Sequence, residues 1–168
     1  MKVFGGQAKA SKRDESTLAY LPRLQEADSI EPDETGSFKL PVKKSNLLAG
    51  RPDENRKVKI LRFDREDMTN WNRKDEFPAW LVEVKTPGLY RAILSYSSRV
   101  KTSDFELRIG DQALSGTAEN TGHWRRFVPL EMGLIPIKGG KQVVLLKAIE
   151  FRSWVMNVRQ LELLPIRE

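Results

Sequence analysis

The chain has 168 residues, of which 39% are hydrophobic and 31% charged, which is enough apolar material for the core of one domain. It has no cysteine, which excludes disulfides, thiol catalysis and cysteine-ligated zinc, and its single histidine excludes multi-histidine metal sites. The net charge of +6 is uneven, with five Lys/Arg against seven Asp/Glu in residues 1–35 and 24 against 16 in residues 36–168.

The N-terminal stretch MKVFGGQAKASKRDES lacks the apolar run of a secretory signal. This leaves a cytosolic chain or a piece of something longer. LAYLPRLQEA has material for a turn or two of helix, interrupted by Pro22. EADSIEPDETG is acidic and rich in turn formers. Residues 1–35 therefore read as a linker or a docked arm whose deletion costs little stability, and residues 36–168 as the domain proper.

From Ser37 the pattern turns to β. FKLPV and VKILRF are weaker strand candidates. WLVEV places Trp80, Val82 and Val84 on one face, and LYRAILSY places Tyr90, Ala92, Leu94 and Tyr96 on one face. KTPG between them supplies Pro87 and Gly88 for a hairpin turn. FELRI alternates Phe105, Leu107 and Ile109 with Glu106 and Arg108. KQVVLLKAI follows a glycine pair, and VRQLELL alternates near the end. About nine short runs separated by turn signals, with no confident long helix, predict an all-β chain: an antiparallel β-sandwich of the jelly-roll kind with an N-terminal arm.

Enzyme signatures are missing. There is no Gly-rich phosphate loop, HExxH or GxSxG elbow. Asp64, Glu66 and Asp67 cluster in LRFDREDMTNW, and two carboxylates can cleave a glycosidic bond, but a run of this kind reads more simply as a solvated loop. His123, beside Gly122, reads as a loop residue. The interspersed cations of the basic body read as a solvated surface, so neither nucleic acid nor a membrane is expected as partner. No stretch approaches the ~20 apolar residues of a membrane span.

Binding chemistry is better represented. A sugar presents apolar C–H faces and a rim of hydroxyls, so its site needs an aromatic plate and a planar amide or charge. Four tryptophans are available. Trp80 shares a face with Val82 and Val84 and reads as core. Trp71, among Asn70, Asn72, Arg73 and Lys74, is either an anchor under a loop or an exposed plate. Trp124, in NTGHWRRF, groups with Val128 and Leu130 if the strand is regular, yet its place just after a turn also allows a rim position.

The order PAWLVEVKTPGLYRAILSYS, FELRIGDQALSGTAENTGHWRRF, PIKGGKQVVLLKA and WVMNVRQLEL resembles carbohydrate-binding modules of families 6 and 35, a galactose-binding-like jelly roll. The likeness is greatest to the divergent modules beside fucosidase-like and sulfatase-like catalytic domains. It rests on Trp80, Pro87-Gly88-Tyr90, Thr121-Gly122-Trp124, Gly139-Gly140 and Asn157, and spans residues 36–166. The resemblance implies a non-catalytic accessory module of a glycan-degrading enzyme in an extracellular or periplasmic setting. It also implies a loop-end sugar site at Trp71, Trp124 and Asn157, with Trp80 and Phe127 packed inside. The alternative is a structural sandwich that braces a catalytic domain or partner chain. Many family members bind a structural calcium through acidic residues in the first strand. Here that strand reads FKLPVKKS, so no calcium or other cofactor is expected. If Trp124 begins a strand, Arg126 shares its parity and points into the site, where a guanidinium fork suits an acidic or sulfated sugar.

Overall fold

The computed structural model describes residues 6–10, 16–24, 26–54 and 56–167. Twelve strands among them form two packed antiparallel sheets. They are β1 (Lys9–Ala10), β2 (Phe38–Pro41), β3 (Asn46–Ala49), β4 (Arg62–Asp64), β5 (Asp67–Thr69), β6 (Glu76–Val84), β7 (Gly88–Ser97), β8 (Ser103–Ile109), β9 (Gln112–Ala118), β10 (Val128–Ile137), β11 (Gly140–Glu150) and β12 (Asn157–Pro165). One sheet has the order β1-β9-β8-β11-β6-β3. The other runs β10-β7-β12-β5-β4, with β2 also paired to β12. The expected sandwich is present with more strands than the nine runs. The short β3 and β5 and the polar QALSGTA of β9 carry little hydrophobic alternation, and of VKILRF only Arg62 and Phe63 lie in a strand, at the start of β4. No helix among the described residues is long and apolar enough to cross a membrane.

The interior is built from the faces the alternation picks out. Trp80, Val82, Tyr90, Ala92, Leu94, Phe105 and Leu107 are all buried. The Trp80 indole N–H crosses the sandwich to donate to the Pro41 carbonyl at 2.9 Å. The Tyr90 hydroxyl donates to the Thr86 carbonyl at 2.6 Å, at the hairpin turn. Each aromatic thus buries its ring and satisfies its polar atom, as burial requires.

The stretch 1–35 is more than a tail where it is described. β1 extends the first sheet by pairing with β9, and Gln7 bridges to Leu134 of β10 in the other sheet, so the chain links the two sheet edges. Residues Thr17–Leu24 form a 3-10 helix over the outer face of the first sheet. Thr17 is buried there, donating to the Val143 carbonyl at 2.7 Å and accepting from the Gly110 N–H at 2.7 Å. Tyr20 meets the Phe77 ring edge-on with centroids 5.4 Å apart. Ile30 bridges to Val82. This cover explains why β6 is buried on both faces, with Phe77, Ala79 and Leu81 as enclosed as Trp80. The small stability cost expected for losing residues 1–35 does not suit this burial.

Candidate functional site

At one end of the sandwich, loops 98–102, 119–127 and 151–156 come together with the start of β12. The TGHW segment is a turn, and strand β10 begins only at Val128. Its backbone is fixed at several points. The Asn120 side chain accepts from the Gly122 N–H at 2.7 Å, and Gly122 takes a φ of 96°, a conformation that favours glycine. The Thr121 N–H donates to the Ser98 carbonyl at 2.8 Å. The Arg125 N–H donates to His123 Nδ1 at 3.0 Å, which makes His123 a turn brace. The Trp124 carbonyl accepts from Ser97 Oγ and, at 3.3 Å, from Asn157 Nδ2. Trp124 and Asn157 are therefore brought together, and the indole is half-buried.

Both residues line a recess of about 400 Å³. Its floor is the outer side of β12 and β5, with Asn157, Arg159, Asp67 and Thr69. Arg125 stands beside Trp124, and the tip of the β4–β5 hairpin, Asp64 to Glu66, closes the rim. Lys43 reaches Glu66 at 3.5 Å and ties that tip down. Arg159 is held on two sides. Its guanidinium meets the Asp67 carboxylate at 2.8 and 3.4 Å and lies over the Phe127 ring, 3.8 Å from the centroid. The hydrogen bond to Asp67 strengthens the hold of Arg159 on its proton. Arg159 faces outward because β12 carries a bulge: the register shifts between Val158 and Gln160, so Val158 and Leu161 both point inward although they are three apart. Simple alternation in VRQLELL places Val158 and Leu161 on opposite faces, so the sequence hid Arg159.

Three expected placements are corrected. Trp71 is only 1% exposed, and its indole N–H donates to the carbonyls of Glu76 and Arg73 at 2.8 and 3.1 Å. It is the anchor under a loop and offers no plate. Arg126 is exposed but does not line the recess, because Trp124 and Arg125 lie in a turn and strand parity does not apply to them; Arg125 lines it instead. Phe127 is half-buried beneath Arg159 and is not part of the interior. Arg125 has no carboxylate within ion-pair distance among the described residues. The lysines of β2 and the turn after it, Lys39, Lys43 and Lys44, do not fit a cation, and no group of three carboxylates or histidines among the described residues is placed to hold a metal.

The sequence matches no protein-family model and no curated protein. Solved structures do match. The C-terminal family 6 module of LamC, a marine laminarinase from Zobellia galactanivorans, superposes with a TM-score of 0.61 at 14% identity, over 76% of this chain and 98% of that one. A family 35 carbohydrate-binding module from Clostridium thermocellum gives 0.62 at 14% identity, over 77% and 98%. In the Podospora anserina mannanase that joins a GH26 domain to a family 35 module, the match has a TM-score of 0.60 at 10% identity and covers 80% of this chain but 29% of that one. The β-sandwich of this chain is therefore the fold found in carbohydrate-binding modules of families 6 and 35.

Proposed function

We propose that the chain is a non-catalytic carbohydrate-binding module that holds a sugar in the recess of Trp124 and Asn157. The observation that carries this reading is the junction of the two residues. One hydrogen bond joins the Asn157 amide to the Trp124 carbonyl, so an apolar plate and a planar polar group share one concave wall before any ligand arrives. Preorganisation of this kind lowers the ordering cost of binding. A recess of about 400 Å³ accommodates one or two sugar rings. Around the plate, the Asn157 amide oxygen, Thr69 and the outward edge of the Arg159–Asp67 pair supply donors and acceptors for hydroxyls.

Chemistry other than binding has less support here. Asp67 is paired with Arg159 and Glu66 with Lys43, so two of the three carboxylates of the 64–67 cluster are used in ion pairs. Arg125 takes the place of Arg126 as the guanidinium able to select an acidic or sulfated sugar. Linkage to a catalytic domain belongs to this reading as well. The fold neighbours include a module within a larger enzyme, and the proposed role of this chain is to bring such an enzyme to its glycan.

The test is affinity electrophoresis of the isolated chain through gels containing a soluble neutral glycan: β-glucan, mannan or xylan. At least one glycan is expected to retard the chain, and Trp124→Ala is expected to abolish that retardation without lowering the melting temperature by more than a few degrees. Retardation unchanged in Trp124→Ala would overturn the assignment of the recess. A Trp124→Ala protein that unfolds would favour the bracing sandwich.

A further inference from the structure

A second aromatic at the same end of the molecule is more exposed than Trp124 and stands outside the recess. Trp154, in the β11–β12 loop, is 36% exposed, although its backbone is fixed. Its carbonyl accepts from Ser103 Oγ at 3.0 Å. The next N–H, of Val155, donates to the Trp71 carbonyl at 2.8 Å, and Val155 and Met156 are buried. An indole whose backbone is clamped and whose ring is left in water has little ordering cost left to meet when a partner binds. Exposed tryptophan on a rigid loop is enriched where something binds.

The two loops around it carry one sign of charge. The Ser103–Trp154 bond and the pairing of Asp104 with Glu150 bring the 98–102 loop against the 151–156 loop. Those loops read SRVKT and FRSWVM, with Arg99, Lys101 and Arg152 and no carboxylate. All three cations are exposed, and none has an ion-pair partner among the described residues. Two carboxylates that border the patch are engaged elsewhere, Asp104 with the Thr117 hydroxyl and Glu150 with Lys74.

We propose that Trp154, with Arg99, Lys101 and Arg152, forms a second binding surface that takes an acidic polysaccharide, its carboxylate or sulfate groups meeting the cations while a sugar ring stacks on the indole. A ring alternating with an anionic group along a polymer matches an aromatic plate rimmed by guanidinium and ammonium groups. The surface is open and has no walls, so it suits an extended chain passing over the loop end. It stands on different residues from the Trp124 recess and is independent of that reading.

The experiment uses polygalacturonate as the acidic probe and laminarin as the neutral one, with affinity electrophoresis and tryptophan fluorescence at 50 and 300 mM salt. Polygalacturonate is expected to retard the wild-type chain, with roughly tenfold weaker binding at the higher salt. Trp154→Ala is expected to weaken it about tenfold, Trp154→Phe to restore part of the loss, and Arg99→Glu with Lys101→Glu and Arg152→Glu to remove it. Trp124→Ala is expected to leave it unchanged. Equal retardation of wild type and Trp154→Ala would overturn the proposal, since charge alone would then be at work. So would tighter binding of a single-stranded oligonucleotide than of polygalacturonate through the same residues, or loss of polygalacturonate binding in Trp124→Ala. Trp154 is exposed and Trp124 half-buried, and an unchanged melting curve verifies that each variant is folded.

Discussion

Trp71 and Trp124 sit at the same end of the sandwich and are fixed in opposite ways. Trp71 is held by its side chain: its indole N–H serves two carbonyls, and its ring lies under the loop it anchors. Trp124 is held by its backbone: its carbonyl serves Ser97 and Asn157, and its indole makes no hydrogen bond to the described residues. A tryptophan whose N–H is spent inside the chain stabilises the fold. One that is positioned by its main chain keeps both its ring face and its N–H available to a ligand.

The contrast has a larger counterpart on the two sheets, and the test with the greatest expected effect is there. Phe77 on the outer face of the first sheet is covered by the chain's own 3-10 helix, whereas the outer side of β12 is left open as the recess floor. Removing residues 1–24 uncovers that face and breaks the Thr17 hydrogen bonds to Gly110 and Val143. The expected result in thermal denaturation is a loss of more than 10 °C, or failure to fold. A loss of only a degree or two would show that the cover is dispensable.

Next in size is Trp71→Ala, which should cost roughly 3–5 kcal/mol in denaturant titration, the usual range for emptying a buried aromatic site. Trp124→Ala, by contrast, should cost less than about 1 kcal/mol while removing sugar binding. If both substitutions cost the same, the two modes of anchoring are not distinct.

A smaller effect concerns Lys147, which lies 4.3 Å above the Phe77 centroid, under the same cover. Burial, and then the nearby Arg108, push its ammonium down from 10.5 to about 8. Between about pH 8 and 10.5 the unfolded chain holds a proton that the folded chain has released, so stability rises with pH there. Below that window the charged lysine is a standing cost. Urea titrations at pH 7 and pH 9.5 should differ by about 1–2 kcal/mol in favour of the higher pH. Lys147→Met should flatten the difference. Tyr20, Tyr90 and Tyr96 are shifted upward by burial and oppose the trend only above pH 10. A flat profile in the wild type would mean that the ammonium stays hydrated.

The smallest expected effect sharpens the comparison directly. Ser97→Ala removes one of the two donors to the Trp124 carbonyl. It should cost about 1 kcal/mol of stability and weaken sugar binding severalfold, because the plate is then aimed by Asn157 alone. Unchanged affinity, measured by titration of the intrinsic fluorescence, would show that Ser97 does not help to position the plate.

Much of this architecture was legible in period-two patterns. The facing of Trp80 and Tyr90, the β6–β7 hairpin and the strand β8 follow from alternation, and β11 follows from a β-branched apolar run after a glycine pair. The misplacements share a physical cause. Strand parity misplaces Arg126 because its segment is a turn, and a one-residue bulge that alternation cannot register conceals Arg159. Trp71 has polar neighbours in sequence, but two backbone carbonyls that meet its indole only in the fold decide its burial. The arm over the first sheet is a 3-10 helix interrupted by Pro22, with isolated bridges, and neither leaves a regular hydrophobic period. The pairing of Trp124 with Asn157 was legible only through the resemblance.

The Thr17 contacts also constrain the order in which the molecule can assemble. Thr17 bonds to residues 93 and 126 positions later in the chain. At ribosomal rates of about 5–20 residues per second, the arm waits about 5–25 s for its partners. During that wait the apolar residues of the 3-10 helix have no sheet to cover, and β6, once made, has no cover on Phe77. Closure of the sandwich edge is then a late event between distant segments, the kind of contact that slows folding most. A chaperone that holds the nascent arm, or a slow stretch of translation after β11, would favour the native ending over aggregation.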